Sequence, residues 1–125
     1  MTAPAAPPRL TFGRHQRLKQ ARDFSRARQH GRRLVSGCLI ANWLVLPPGS
    51  PARLGVITTK KLGNAVVRAR ARRLLREAFR LHQHDLNRPV DLVLVAQRGI
   101  LEQDYAIVER DFLAALRRAG LLRSL

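Results

Sequence analysis

The stretch from residue 60 to residue 80, KKLGNAVVRARARRLLREAFR, restricts the possible folds more than any other part of the chain. Its apolar side chains recur at the spacing of one helix face, and Asn64 stands just before them, where a helix cap is expected. The pattern predicts a helix of about 20 residues, roughly 30 Å long, that packs through a single face. That face comprises Val67, Ala71, Leu74, Leu75, Ala78 and His82.

The other patterns predict a small sheet that this helix can cover. Apolar and β-branched stretches are typical of strands, the turn PPGSPA separates the first two, and VDLVLVA is apolar on both faces, as a central strand is. Strands are predicted at about 34–46, 53–60 and 90–96, and helices at about 20–30, 64–82 and 104–119. The last helix is expected to turn Tyr105, Val108, Phe112 and Leu116 inward. The order α-β-β-α-β-α, with room for one more strand, predicts an α+β fold: an α-β sandwich of about three helices on a small mixed sheet.

The length of 125 residues fits one domain with one sizeable core. Residues 1–8, MTAPAAPP, offer nothing to bury and are predicted to form a flexible N-terminal tail, which leaves residues 9–125 as a single domain. Cys38 is the single cysteine, so a disulfide or a cysteine-based zinc site within one chain is excluded. We expect Cys38 to be a small buried side chain on a strand.

The formal net charge of +16 is concentrated in two segments. Residues 1–35 carry nine basic groups against Asp23, and residues 60–80 carry eight against Glu77, whereas the remainder has seven arginines against six acids. A focused positive field of this kind suits a polyanion such as a nucleic acid. An anionic membrane surface would attract it too, but no apolar run approaches the roughly 20 residues of a membrane span, and the first residues lack the apolar core of a signal peptide. A cytoplasmic location is therefore expected.

The basic residues of the long helix form a stripe that its own chain does not neutralise. Arg68, Arg72, Arg76 and Arg80 stand four apart, and like charges at this spacing cost roughly 0.2–0.5 kcal/mol per pair. Guanidinium groups beside a helix N-terminus make a good phosphate site, so the stripe favours nucleic-acid binding over the alternative of a merely solvated face. Charge does not separate DNA from RNA, although the strand-like LGVITT before the helix disfavours a helix-turn-helix.

Candidate catalytic and metal-binding groups are missing from the sequence pattern. The eight acids are scattered, and no nucleophile stands in an arrangement with a base. His82, His84 and Asp85 resemble a metal cluster, but on a helix their spacing spreads them around the axis. We predict no catalytic residue and no metal site in the chain.

The quoted residues resemble a known family. KKLGNAVVRARARRLLREAFR is similar to the signature of the protein component of bacterial ribonuclease P, Lys-Lys-x-Gly-Asn-Ala-Val-x-Arg-Asn-Arg-x-Lys-Arg-x-x-Arg-Glu-x-Phe. RLKQARDFSRARQHG resembles the first helix of that family, RLGVITTKK the strand before the signature, and DLVLVAQRG the strand after it. The resemblance covers about residues 17 to 120 and keeps their order.

The resemblance implies a fold and a function. The fold would be an α-β sandwich with a left-handed βαβ crossover, which general handedness rules do not predict. The chain would be a subunit of an endoribonuclease whose RNA subunit removes the 5′ leader of precursor tRNA with Mg²⁺ ions held mainly by that RNA, none being bound by the protein alone. The protein would bind the RNA subunit, in a one-to-one complex, and hold the leader in a cleft between the first helix and the sheet.

The resemblance also implies two sets of site residues. Those expected to bind the RNA subunit are Lys61, Asn64, Arg68, Arg70, Arg72, Arg73 and Arg76. Those expected to bind the leader are Phe24, Arg28, Asn42 and Lys60.

Four positions qualify the resemblance. Ala69 replaces a family Asn, Arg72 a Lys and Arg28 an aromatic or large apolar residue, and Phe24 also fits a core position of an amphipathic helix. Trp43, beside Asn42, is expected in the core because neighbours on a strand face opposite sides.

Two rival functions remain at this stage. One is a ribosomal or ribosome-associated binding module, which has no need of the Lys-Lys-x-Gly-Asn-Ala-Val start. The other is a nuclease acting without RNA, which the scattered acids disfavour.

Overall fold

A computed structural model describes residues 10–123, so the predicted tail, 1–8, lies outside the described residues. The three helices are α1 (Ala21–His30), α2 (Ala65–His82) and α3 (Tyr105–Arg118), and the four strands are β1 (Arg32–Ser36), β2 (Leu39–Val45), β3 (Arg53–Ile57) and β4 (Val90–Ala96). The strands form one mixed sheet in the order β1-β2-β4-β3. β3 and β4 are parallel, and the other neighbouring pairs are antiparallel. The predicted fold class is confirmed.

The prediction of one strand over 34–46 is wrong, because this stretch forms the β1–β2 hairpin. Gly37 has a φ of +53°, a conformation that favours glycine, and it reverses the chain so that Ser36 pairs with Leu39. Cys38 is buried, as expected, but it lies in the turn and not on a strand. Burial raises the pKa of its thiol to about 12, which makes it unreactive.

Asp111 of α3 fastens this hairpin to the rest of the molecule. The Cys38 backbone N–H donates to its carboxylate at 3.0 Å, and the Ser36 hydroxyl donates to its backbone carbonyl at 2.8 Å. A Cβ added to Gly37 would lie only 2.2 Å from the same carboxylate. The close approach explains why a glycine occupies the turn.

The sheet is covered by helices on both faces. Leu39, Trp43 and Leu92 pack against α2 and α3 in the main core, whereas Val93 packs against Ala27 of α1 in a smaller cluster. β4 lies between β2 and β3, which confirms the prediction of a central strand. Trp43 is 7% exposed within the main core, so that expectation is confirmed too.

The connection β3–α2–β4 places the basic helix across the sheet. α2 buries Ala71, Leu75, Ala78 and Phe79, of which Phe79 was missing from the predicted face. The parallel pairing of β3 and β4 requires such a crossover. The left hand of this crossover stays a prediction. None of the helices described between residues 10 and 123 combines the length and the apolar character needed to span a membrane.

Candidate nucleic-acid interface

The start of α2 presents backbone N–H groups and positive charge together. The Asn64 side chain accepts a hydrogen bond from the Val67 N–H at 3.0 Å, which confirms the predicted cap. Lys60 and Lys61 lie exposed in the 3₁₀ turn just before it, although β3 was predicted to continue as far as residue 60. The strand in fact ends at Ile57, because the chain turns there toward the helix. The result is a strongly positive helix N-terminus.

Hydrogen bonds to neutral groups fix two arginines of α2. Arg70 donates to the Gln103 carbonyl at 2.6 Å, and Arg72 donates to the Thr58 hydroxyl at 2.7 Å. The Nε of Arg68 is buried and has no hydrogen-bond partner within the described part of the chain. The two hydrogen bonds orient the guanidinium groups of Arg70 and Arg72 without neutralising their charge.

Within residues 10–123, the ion pairs that neutralise the arginine stripe are confined to its Arg80 end. Arg80 forms a two-point contact with Glu77, at 3.0 and 2.5 Å, and this contact raises the pKa of Arg80. Burial lowers the pKa of Arg76, and the neighbouring Arg17 and Arg72 lower it further. The middle of the stripe is therefore a place where an added anion relieves repulsion.

A groove of about 560 Å³ lies beside this stripe. Phe12, Leu74 and Tyr105 provide its apolar lining. Its basic lining consists of Arg17, Arg70, Arg73, Arg76 and Arg80. Sequence reasoning missed Phe12 and Arg17 as site residues, and it placed Tyr105 in the core, although the structure leaves Tyr105 half-buried.

The missed residues come together through contacts between distant segments. The Leu18 N–H donates to the Leu54 carbonyl at 2.9 Å, so the chain before α1 runs along the open edge of β3. This contact brings Arg17 and Phe12 over the side of α2, where the Arg17 guanidinium lies 4.7 Å from the centre of the Phe12 ring. The signal available in the sequence was the Arg-Leu pair at 17–18, which the family resemblance includes but periodicity does not explain.

A second groove, of about 280 Å³, lies between α1 and β3. Phe24 lines it and rests on Gly55, where an added Cβ would approach the ring to 2.4 Å. The two grooves meet, because Phe12, Arg17 and Arg76 line both.

The residues expected to bind the leader are less well grouped than those on α2. Phe24 lines the second groove, Lys60 is exposed beyond the end of β3, and Arg28 is exposed one helical turn after Phe24. Asn42 lies on the sheet face beneath α1 but is 3% exposed, and its amide donates weakly to the Val93 carbonyl at 3.5 Å. In contrast, the predicted arginines all lie on α2, with Asn64 as its cap and Lys61 in the 3₁₀ turn just before it.

A buried ion pair positions α1 on the sheet. Asp91 of β4 is fully buried and accepts two hydrogen bonds from Arg53, at 2.8 and 2.7 Å. Asp23, in the first turn of α1, lies 3.8 Å from the same guanidinium. The contact raises the pKa of Arg53, which keeps its charge.

The histidine and acids at the end of α2 are engaged with each other. The His82 ring nitrogens lie 2.8 Å from Asp85 and 2.9 Å from Glu109. Across residues 10–123, no group of three or more histidine, cysteine, aspartate or glutamate side chains is arranged to hold a metal ion. His82 instead links α2 to α3.

Comparison with known proteins identifies a family whose members are similar to this chain over most of its length. A family model described as "Ribonuclease P" matches residues 12–120. A "Ribonuclease P protein component" from Gluconacetobacter diazotrophicus is 41% identical over 110 residues, which cover 86% of this chain and 94% of the relative. The protein of the same name from Desulfovibrio desulfuricans is 38% identical over 115 residues, covering 88% and 87%.

Solved structures share the fold. The RNase P protein of Staphylococcus aureus superposes with a TM-score of 0.77 at 24% identity, over 86% of this chain and 98% of that one. The RNase P protein of Thermotoga maritima gives a TM-score of 0.72 at 25% identity, over 82% and 96%.

Proposed function

Because the chain belongs to the family of ribonuclease P protein components, we propose that its α2 surface binds the catalytic RNA subunit and that its α1 face binds the 5′ leader of precursor tRNA. The chain is the protein subunit of ribonuclease P, an endoribonuclease holoenzyme that matures the 5′ end of tRNA. Binding of RNA by the two surfaces, the one-to-one stoichiometry and a cytoplasmic location are parts of the proposal.

The observation that carries the proposal is the unneutralised charge of α2. Of its six arginines, only Arg80 forms an ion pair with an acid among the described residues. The others are distributed around the part of the helix that does not pack into the core, whereas Ala71, Leu75, Ala78 and Phe79 are buried. RNA phosphates would supply the missing negative charge, and two-point guanidinium contacts suit them.

The leader-binding part of the proposal rests on the second groove. Phe24 offers a half-buried aromatic ring on which a base can stack, and Arg28 and Lys60 are exposed cations that can reach its phosphates. Asn42 is included, but its burial makes its amide the least accessible member of this set. The α1 face as a whole is suited to binding single-stranded RNA.

The protein's role in the reaction would be to bind and to screen charge. We propose that Mg²⁺ ions are held mainly by the RNA subunit and that catalytic side chains are not supplied by this chain. The basic surfaces would reduce repulsion between RNA phosphates, which lowers the Mg²⁺ concentration needed for folding and for substrate binding.

The decisive experiment is single-turnover cleavage of precursor tRNA by a bacterial ribonuclease P RNA at low Mg²⁺, with and without the protein. A large rescue that depends on the 5′ leader is expected. Tight RNA binding without rescue would favour the binding-module alternative, and cleavage by the protein freed of RNA would favour the stand-alone nuclease.

A matched pair of variants tests the α2 surface. Arg73→Ala removes an exposed arginine of the stripe and should weaken binding to the RNA subunit, lowering the slope of log affinity against log salt by about 1. Arg117→Ala removes an exposed arginine of α3 and should leave both quantities nearly unchanged. Equal effects of the two changes would show that α2 is not the binding surface.

A further inference from the structure

The groove beside α2 has the size and lining of a site for one nucleotide. Its volume of about 560 Å³ falls within the range of roughly 300–1,000 Å³ typical of small-molecule sites. Phe12 and Tyr105 offer aromatic surface, and the arginines surround it. A double helix is too wide to enter such a groove, whereas a base that has left its stack is not.

The aromatic side chains are held in place before any ligand arrives. The Phe12 ring packs edge-on against the buried Phe79, with centroids 5.7 Å apart, and the Arg17 guanidinium lies over it. The Tyr105 hydroxyl donates to Glu109 at 3.1 Å, which fixes the ring at the first turn of α3. A preorganised stacking surface of this kind loses little entropy on binding.

The charge around the groove is also unbalanced. Glu77 is the acid that lines it, and Glu77 is already paired with Arg80. Arg17, Arg73 and Arg76 form no ion pair among the residues described. The groove therefore combines a base-stacking surface with cations that suit a phosphate.

We propose that this groove binds a single unpaired nucleotide of the RNA subunit, with its base against Phe12 and Tyr105 and its phosphate against Arg73 and Arg76. The proposal rests on the proposed function of the α2 surface and adds to it a defined site. The RNA subunit is chosen over the leader because Arg70, Arg73 and Arg80 line this groove and not the one that contains Phe24. The shared residues Phe12, Arg17 and Arg76 then lie where the two RNA strands come closest.

Site-directed cross-linking tests the position and the source of the nucleotide. Ala106→Cys, at the exposed position next to Tyr105 on α3, allows attachment of a thiol-directed photo-cross-linker and leaves both aromatic rings in place. Cys38 will not compete because it is buried and its thiol pKa is raised to about 12. The labelled protein is assembled with the RNA subunit, with and without precursor tRNA. The expected product is a cross-link to an unpaired nucleotide of the RNA subunit that forms without substrate. Ser50→Cys, in the turn between β2 and β3, is the matched control and should not label that nucleotide.

Chemical probing of the RNA tests the role of the ring. The unpaired base should be protected by the wild-type protein and by Tyr105→Phe, which retains the ring. Tyr105→Leu should lose the protection and bind the RNA subunit at least about fivefold more weakly, the lower end of what a base stack contributes. Thermal unfolding of each variant verifies that it is folded.

Three results would overturn the inference: a cross-link to the leader, a cross-link confined to double-helical RNA, or full protection by Tyr105→Leu. Each result is compatible with weakened RNA binding by Arg73→Ala. The nucleotide site can therefore be disproved while the proposed function of the α2 surface is retained. If Arg73→Ala has no effect on RNA binding, the proposed function itself fails.

Discussion

Phe24 shows how one side chain can belong both to the core and to a binding surface. Its ring packs with Leu44 and Ile57 around the small cluster beneath α1, yet it lines an open groove. The absence of a side chain at Gly55 leaves the space that the ring occupies. The burial of Phe24 does not reveal whether a base stacks on its ring. A test therefore needs a substitution that retains the apolar volume of the side chain and removes its aromatic ring.

Phe24→Leu makes that separation. Leucine retains much of the apolar volume, so the free energy of unfolding should change by less than about 1.5 kcal/mol. It removes the stacking surface, so the preference of the holoenzyme for precursor over mature tRNA should fall about fivefold or more. The measurement is the ratio of the two dissociation constants. An unchanged ratio would assign Phe24 to the core alone.

The positions of single residues were predictable from the sequence where the helix period determines which way each side chain points. The α2 arginines and the Asn64 cap follow from spacing along one element, and the structure places them on one helix as expected. Phe12 and Tyr105 could not be found in this way, because their proximity depends on contacts between segments far apart in sequence. The turn at Cys38 was missed for a related reason, since its apolar neighbours on both sides concealed Gly37.

At the scale of elements, the start of α2 combines a structural role with an expected RNA contact. The Asn64 side chain caps the helix and stands among the exposed lysines. The two roles respond differently to substitution, because a cap requires only an oxygen acceptor, whereas RNA repels negative charge.

Asn64→Asp and Asn64→Ala together distinguish these roles. Aspartate retains the cap and should leave the free energy of unfolding within about 0.5 kcal/mol, but it should weaken binding to the RNA subunit. Alanine should destabilise the protein by about 1 kcal/mol. Urea unfolding and RNA binding measured on the same preparations check both expectations. Unimpaired RNA binding by Asn64→Asp would exclude the predicted contact.

The junction between α2 and α3 should make stability depend on pH. Burial opposes protonation of His82, but the hydrogen bonds to Glu109 and Asp85 outweigh it and raise its pKa above the ordinary 6.5. The hydrogen bond from His82 lowers the pKa of Glu109 below 4.5. The stabilising contribution of His82 is therefore full below pH 6.5 and is lost as the pH rises through the folded-state pKa of His82. The contribution of Glu109 is full above pH 4.5 and is lost as the pH falls through the lowered folded-state pKa of Glu109.

The predicted result is a maximum of this contribution between about pH 4.5 and 6.5. Above that range, the free energy of unfolding should decline by roughly 1 kcal/mol in the wild type, and the decline should be much smaller in His82→Gln. Urea unfolding from pH 5 to pH 9 measures it. His15→Gln, which changes an exposed histidine, should behave as the wild type. An identical decline in His82→Gln would assign the pH dependence to other groups.

The elements themselves were predictable to different degrees. The bounds of the three helices follow from their amphipathic period and caps, and those of β4 follow from a continuous apolar run. The structure reproduces all four within a residue or two. The hairpin was not predicted because two consecutive apolar strands joined by a tight turn have the same composition as one long strand. Sheet order was not predictable from pattern either, since it depends on which strands α2 connects.

At the scale of the whole molecule, the net charge of +16 should make stability and RNA binding respond oppositely to salt. Screening reduces the self-repulsion of the folded chain, because the Debye length falls from about 10 Å at 0.1 M to about 3 Å at 1 M. The same screening weakens attachment to phosphates. Salt dependence therefore offers one measurement on the free protein and one on the complex.

Raising NaCl from 0.02 to 0.5 M should increase the free energy of unfolding of the isolated protein, by an amount on the order of 1 kcal/mol. Arg76→Gln removes a guanidinium that faces Arg17 and Arg72, and its stability should respond less to salt. Urea midpoints at the two salt concentrations are compared. A wild-type stability that is flat or falls with NaCl would contradict the view that self-repulsion is significant.

The strand order has a consequence for synthesis on the ribosome. The strand that pairs with β3 in parallel is β4, and the paired residues Arg53 and Asp91 are 38 positions apart in the chain. Until β4 has emerged, the segment that becomes α2 has no completed sheet to pack on, so its apolar face and its arginines are exposed together on the nascent chain. Such late, non-local pairing slows folding and leaves apolar surface open to aggregation. Competence to assemble with RNA is thus acquired only after β4 has been synthesised.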